Sequence, residues 1–166
     1  STLTNAAGAT LTNTGLMVND SAYYSSSTLN NSGTLTNEGE LHNDSYSYSD
    51  SKLTNSGSLA NNGFLSNFSD YSGTSTLTNK AGAELTNKAY ATLDNVSGYN
   101  YGGGTSTLSN VGTLTNDGYL TNYSVNGGTS KLDNLGSLTN NGDLTNSISD
   151  GGNSTLSNSG ILTNNG

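Results

Sequence analysis

Few residues in this chain have reactive side chains. The single histidine is His42, in the run His42-Asn43-Asp44. Residues two apart lie on one face of a strand, so His42 and Asp44 can meet a common ligand. One imidazole with one or two carboxylates makes an open, poor metal site. A solvated surface pair is the plainer reading. Glu38 and Glu40, also two apart, would stand roughly 7 Å from each other on an extended chain, a spacing superficially suited to two catalytic acids. No neighbouring stretch supplies an Arg, Lys or His to support them, so they read as a solubilising face. The chain has no cysteine, which removes disulfides, thiolate metal sites and cysteine nucleophiles together.

Three further groups of residues invite attention. Ser149-Asp150-Gly151-Gly152-Asn153 has the small, acidic composition of a calcium loop. It lacks the Gly-Gly-x-Gly-x-Asp pattern, however, and Asp does not recur in step with it. The expectation is no cofactor, with calcium at Asp150 only incidental. Tyrosines Tyr23, Tyr24, Tyr46, Tyr48, Tyr71, Tyr99, Tyr101 and Tyr123 gather in or beside segments that lack Leu. They suit a lateral contact, either protein assembly or sugar stacking, and they equally suit rings covering a poorly filled side. Asn19, Asn43, Asn67, Asn95 and Asn122 each begin an Asn-x-Ser acceptor pattern for N-glycosylation. Repeat composition alone would also generate that pattern.

The background that must position these residues is unusual. Of 166 residues, 30% are hydrophobic, 10% are charged and 22 are Gly, with no Pro or Trp. Apolar content this low is normally a mark of disorder, but disordered chains are rich in Pro, Glu and Lys. Here Leu recurs at fixed intervals in a Ser, Thr, Asn and Gly background, which predicts a thin core repeated many times. The net charge is −8, and the only cations are Lys52, Lys80, Lys88 and Lys131. That deficit speaks against a nucleic-acid partner and against an anionic membrane surface. No apolar run approaches the roughly 18 residues of a membrane span, so membrane insertion is not expected.

The unit is a hexapeptide, Leu-Thr-Asn-x-Gly-x, as in Leu35-Thr36-Asn37-Glu38-Gly39-Glu40 and Leu114-Thr115-Asn116-Asp117-Gly118-Tyr119. Hexads come in threes: Leu29, Leu35 and Leu41; Leu53, Leu59 and Leu65; Leu108, Leu114 and Leu120; Leu132, Leu138 and Leu144. A Leu-free stretch follows each triplet. Leu29 to Leu53, Leu53 to Leu77, Leu108 to Leu132 and Leu132 to Leu156 are each 24 residues. Leu3 to Leu29 is 26 and Leu77 to Leu108 is 31, with the extra residues assigned to Ala6–Ala9 and Tyr99–Gly104. A six-residue Leu spacing fits period 2 and not period 3.6. Counted from the nearest anchor, the 16 charged residues (4 Lys, 12 Asp and Glu) all fall at odd positions except Asp150. Even positions therefore face inward and odd positions outward.

The expected fold is an all-β parallel β-solenoid with coils of about 24 residues, three Leu-anchored hexapeptide sides and one irregular side. It forms a single domain over residues 1–166, of about six to seven coils. Three hexads plus a six-residue excursion describe the coil equally well, and handedness stays open. The Leu residues form the core. Asn31, Asn37, Asn55, Asn61, Asn110, Asn116, Asn134 and Asn140 are expected at corners, bonded amide to amide from coil to coil. The hexad Gly is expected to take positive φ at the corner. Outward Thr-x-Thr pairs such as Thr10/Thr12, Thr34/Thr36 and Thr113/Thr115 could face ice, but that column is broken at Ser58/Ala60, Glu84/Thr86 and Ile161/Thr163. The first-hexad column is broken by Lys52, Lys131 and Asp133.

Tandem Leu-Thr-Asn-x-Gly runs resemble the repeats of bacterial filamentous-haemagglutinin-like exoproteins and autotransporter passenger domains. The resemblance spans the whole chain and implies a secreted or cell-surface stalk, adhesive shaft or matrix fibre without catalysis. The partners so implied are other copies of the chain, end to end and laterally, and cell-surface glycans. The repeat runs to both termini, which suggests a segment of a longer chain or polymer.

Overall fold

The computed structural model describes residues 1–98 and 103–166. Among the described residues there are twenty strands and no helix. Alternation makes them strands: across β10 (Thr74–Asn79) and β13 (Thr105–Asn110), every second side chain is buried and the others are half-exposed. Outward Thr at such positions is a good strand former.

Strands recur in threes along the chain, and each is parallel to its equivalent in the next coil. The first sheet runs β1 (Thr2–Asn5), β4 (Ser26–Asn31), β7 (Asp50–Asn55), β10, β13, β16 (Thr129–Asn134), β19 (Asn153–Asn158). The second runs β2 (Thr10–Asn13), β5 (Thr34–Asn37), β8 (Ser58–Asn61), β11 (Glu84–Asn87), β14 (Thr113–Asn116), β17 (Ser137–Asn140), β20 (Ile161–Asn164). The third runs β3 (Leu16–Val18), β6 (Glu40–Ser45), β9 (Phe64–Ser69), β12 (Thr92–Ser97), β15 (Tyr119–Ser124), β18 (Asp143–Ile148). The result is a three-sheet parallel β-solenoid of about seven coils.

The interior has three chemistries stacked in columns. Leu pairs with Leu down each sheet, as in Leu53↔Leu77↔Leu108 and Leu59↔Leu85↔Leu114, with Met17 standing in once against Leu41. The anchoring leucines from Leu29 to Leu138 are at most 1% exposed, while Leu144, in the last complete triplet, is partly buried. Asn forms the corners. The Nδ2 of Asn31 donates to Oδ1 of Asn55 at 2.7 Å, that of Asn55 to Asn79 at 2.8 Å and that of Asn110 to Asn134 at 2.8 Å. The second column repeats this through Asn37, Asn61, Asn87, Asn116 and Asn140 at 2.6–2.8 Å. The other amide proton goes to a backbone carbonyl in the following coil, such as Ser58 for Asn31 and Phe64 for Asn37. Each Asn that has a coil after it in its column therefore joins its own coil to the next at two points.

The irregular side has no sheet of its own. β9 runs two residues past Asn67, β10 begins three before Leu77, and Asp70–Gly73 close the vertex with Gly73 N–H donating to Asp70 O at 2.9 Å. Serine lines this vertex inside: Ser69 meets Ser106 at 2.9 Å, Ser97 meets Ser130 at 2.8 Å and Ser21 meets Ser51 at 2.7 Å. These inward hydroxyls bond one another. Among the described residues no buried side-chain polar atom lacks a hydrogen-bond partner.

Two expectations about the backbone are corrected. The 31-residue interval does not take all its extra residues at Tyr99–Gly104. Leu77 to Leu85 and Leu85 to Leu93 are each eight residues instead of six, because Lys80–Ala83 and Lys88–Ala91 form inserted turns. The hexad Gly is not explained by positive φ. A Cβ on Gly39 would sit 2.1 Å from the Gly15 carbonyl oxygen of the preceding coil, so the close approach of coils is what requires glycine there.

Candidate functional site

The outer face of the third sheet differs from the other two. Its register stacks Glu40, Phe64, Thr92 and Tyr119 in one column, His42, Ser66, Asp94 and Thr121 in the next, and Asp44, Phe68, Val96 and Tyr123 in a third. The first two sheets present mostly Thr and Ser.

The structure does bring His42 and Asp44 together. Nδ1 of His42 lies 3.1 Å from Oδ2 of Asp44, and Nε2 lies 3.3 Å from Oε2 of Glu40. The ring leans on Phe64, with centroids 5.6 Å apart. Asp44 also accepts a bond from Ser66 Oγ at 3.1 Å. Outward position alone implied a solvated Asp44, but its neighbours leave it 8% exposed. Burial pushes its pKa up, against the opposing pull of His42. Burial likewise raises Asp94, and Thr121 partly offsets this. Tyr46 packs on Phe68 at 5.6 Å, and burial followed by the carboxylates of Asp44, Asp20 and Asp70 pushes its hydroxyl to about 12. A second departure from the outward rule is Asp70, fully buried at the vertex.

Glu38 and Glu40 do not form a pair. Glu38 lies in the turn after β5 and accepts from Asn62 at 3.1 Å, whereas Glu40 opens β6 and faces His42. Among the described residues, no group of three or more His, Cys, Asp or Glu is arranged to hold a metal. Asp150 sits at positive φ in the last vertex turn and accepts from its own neighbour Ser149 at 2.8 Å.

The tyrosines divide. Tyr23, Tyr24, Tyr48 and Tyr71 occupy positive-φ positions of successive vertex turns and are all exposed. Tyr24 and Tyr48 stack one above the other with centroids 5.5 Å apart and planes within 4°. Each thereby covers one ring face of the other. Tyr46 and Tyr123 lie on the third-sheet face, half-buried. Tyr99 and Tyr101 fall outside the described residues. Sequence reasoning missed Tyr90 and Tyr119, at the corner between the second and third sheets. A signal was present: Lys88-Ala89-Tyr90-Ala91 repeats Lys80-Ala81-Gly82-Ala83 with Tyr in place of Gly.

The five candidate glycosylation asparagines do not lie on the surface. Asn43, Asn67, Asn95 and Asn122 are fully buried, and Asn19 is 6% exposed. They form a third amide column, Asn19 to Asn43 to Asn67 to Asn95 to Asn122, at 2.6–2.7 Å. The serine two residues on is the inward serine of the vertex, so the acceptor pattern is Asn-in, x-out, Ser-in. The Thr-x-Thr pairs do stand in register on the second sheet, and the same columns carry Glu84 and Ile161, both exposed. Comparison of the chain with protein families, with curated proteins and with solved structures found no match.

Proposed function

We propose that this chain is a structural rod, a length of an extracellular filament, matrix fibre or adhesin shaft, and that it acts by extent and surface rather than by catalysis. The observation that supports this most is the continuous interior: three Asn columns and three Leu columns keep the same register from coil to coil, even where corners carry inserts. A rung of this kind is completed by any coil with the same residues, from the same chain or from another copy. Axial continuation therefore needs no new chemistry. The exposed vertex tyrosines and the mixed aromatic and acidic third sheet are the surfaces for lateral contacts. The proposed location is outside the cell or on its surface.

The test is electron microscopy of the purified chain at rising concentration, with small-angle scattering alongside. Filaments with an axial repeat of roughly 4.8 Å support a self-assembling subunit. Rods of fixed length, about 30 Å, support a shaft continued by flanking coils. A flexible or compact globular particle at every concentration would overturn the rod reading.

A further inference from the structure

The corner between the second and third sheets combines an inserted turn with an open cleft. Lys88–Ala91 forms an inserted turn closed by Ala91 N–H donating to Lys88 O at 3.0 Å. Two other inserted turns have the same form, Ala6–Ala9 and Lys80–Ala83, and each places Gly at the positive-φ position, Gly8 at 79° and Gly82 at 78°. At Lys88–Ala91 that position is Tyr90, with φ 68°. A bulky side chain there is strained where glycine is not. Packing does not offset the strain, because Tyr90 is 91% exposed. The vertex tyrosines Tyr23, Tyr24, Tyr48 and Tyr71 are also exposed at positive φ, and Tyr90 differs from them in bordering a cleft.

Tyr90 borders an open cleft of about 270 Å³, which also takes in Tyr119, Asp117 and Asp143. Gly118 and Gly142 also line it, and a Cβ on either would meet a backbone oxygen of the preceding coil, at 2.3 and 2.2 Å. Tyr119 and Asp143 are register partners in adjacent coils. Asp117 is held by Asn141 Nδ2, which donates to one carboxylate oxygen at 2.8 Å. The cleft thus offers two exposed phenol rings and two carboxylates beside two glycines. Ring faces suit the apolar C–H face of a pyranose, and carboxylates accept hydrogen bonds from neighbouring hydroxyls. The volume lies just under the roughly 300 Å³ where pockets for drug-sized ligands begin, the scale of one or two sugar units. An organic cation would also meet rings and carboxylates, but it would share the corner with Lys88, and both carboxylates are too open to water to hold it strongly.

We propose that the Tyr90 corner is a binding site for a neutral saccharide, a hexopyranose unit of a glycan chain, separate from the vertex tyrosines and additional to the scaffold role. The test uses the full chain and methyl pyranosides of glucose, galactose, mannose and N-acetylglucosamine, followed by saturation-transfer NMR and by the tyrosine ring resonances. The expected result is saturable binding of at least one sugar in the millimolar range, with Tyr90 and Tyr119 shifted and Tyr24 unaffected. Tyr90→Gly is expected to weaken it at least about tenfold with no fall in thermal midpoint, because glycine relieves the strained turn. Tyr119→Ala and Asp143→Asn provide independent weakening. No saturable binding of any of the four sugars would overturn the proposal. So would equal binding by Tyr90→Gly, or tighter binding of choline than of any sugar.

Discussion

Replacing Asn67 by Ala tests the amide columns directly. Asn67 is fully buried. Its Nδ2 donates to Oδ1 of Asn95 at 2.7 Å and to Thr107 O at 3.0 Å, and its Oδ1 accepts from Asn43 at 2.7 Å. Alanine leaves the Asn95 oxygen and the Thr107 carbonyl without these donors. Asn43 still reaches Thr76 O at 3.0 Å. Two stranded polar groups at about 1–3 kcal/mol each, plus a small cavity, give a loss of roughly 2–6 kcal/mol. The same substitution at Asn158 is the control. Asn158 is exposed, accepts from Asn134 at 2.7 Å, and donates only to Gly160 O at 3.2 Å, so about 1 kcal/mol or less is expected. Because coils can unfold in sections, the assay is amide hydrogen exchange in β6, β9 and β12 together with thermal unfolding. Asn67→Asp refines it. A carboxylate cannot donate, so Asn67→Asp should be worse than alanine at neutral pH and should recover in acid as the buried acid takes a proton. Equal losses at Asn67 and Asn158, or a loss below about 0.5 kcal/mol at Asn67, would refute the reasoning.

The remaining predictions use other parts of the coil. Gly39→Ala should destabilise by about 1–3 kcal/mol or more, because its Cβ meets Gly15 O at 2.1 Å, while Gly15→Ala, with nothing within 4 Å, should stay within about 0.5 kcal/mol; denaturant titration of the pair distinguishes them. Asp44 and Asp94 have pKa values raised by burial above the ordinary 3.8, so the folded state holds their protons more firmly than the unfolded state. Stability should therefore rise as pH falls from neutral towards that value, and Asp94→Asn should flatten the slope in thermal melts across pH. Expression in a host that N-glycosylates secreted proteins should leave folded chains unmodified at Asn43, Asn67, Asn95 and Asn122, as intact-mass spectrometry would report.

Parity along the chain made most of the fold legible. Because strands alternate, the placement of Leu, Asn and charge at even or odd positions was enough to sort core from surface, and the Leu intervals set the coil length. Parity failed where a side chain pointed outward and its neighbours then covered it, as at Asp44 between His42, Ser66 and Phe68. It failed also at Asp70, where the vertex bends and the alternation of the strands no longer applies. The third Asn column was hidden by a competing motif: Asn67-Phe68-Ser69 satisfies a glycosylation pattern and an in-out-in strand with the same letters. Gly39 was placed correctly for the wrong reason, since contact between coils cannot be seen in one hexad. Tyr90 needed comparison of one insert with another, because its significance is a glycine that is absent.

The Asn columns give the rod an electrical polarity that its sheets cannot. Along parallel strands, backbone N–H groups point alternately up and down the axis, as Asn19 N–H does towards His42 and Glu40 N–H towards Gly15, and their dipoles largely cancel. The side-chain amides point one way: every Asn-to-Asn bond in the three columns runs from an Nδ2 to the coil that follows it in sequence. Three parallel files of aligned amide dipoles make the two directions along the axis chemically distinct, one offering carbonyl oxygens and the other N–H groups. Any assembly that extends the columns must therefore be a vector, with all its rods pointing the same way and growth chemistry that differs between its two tips.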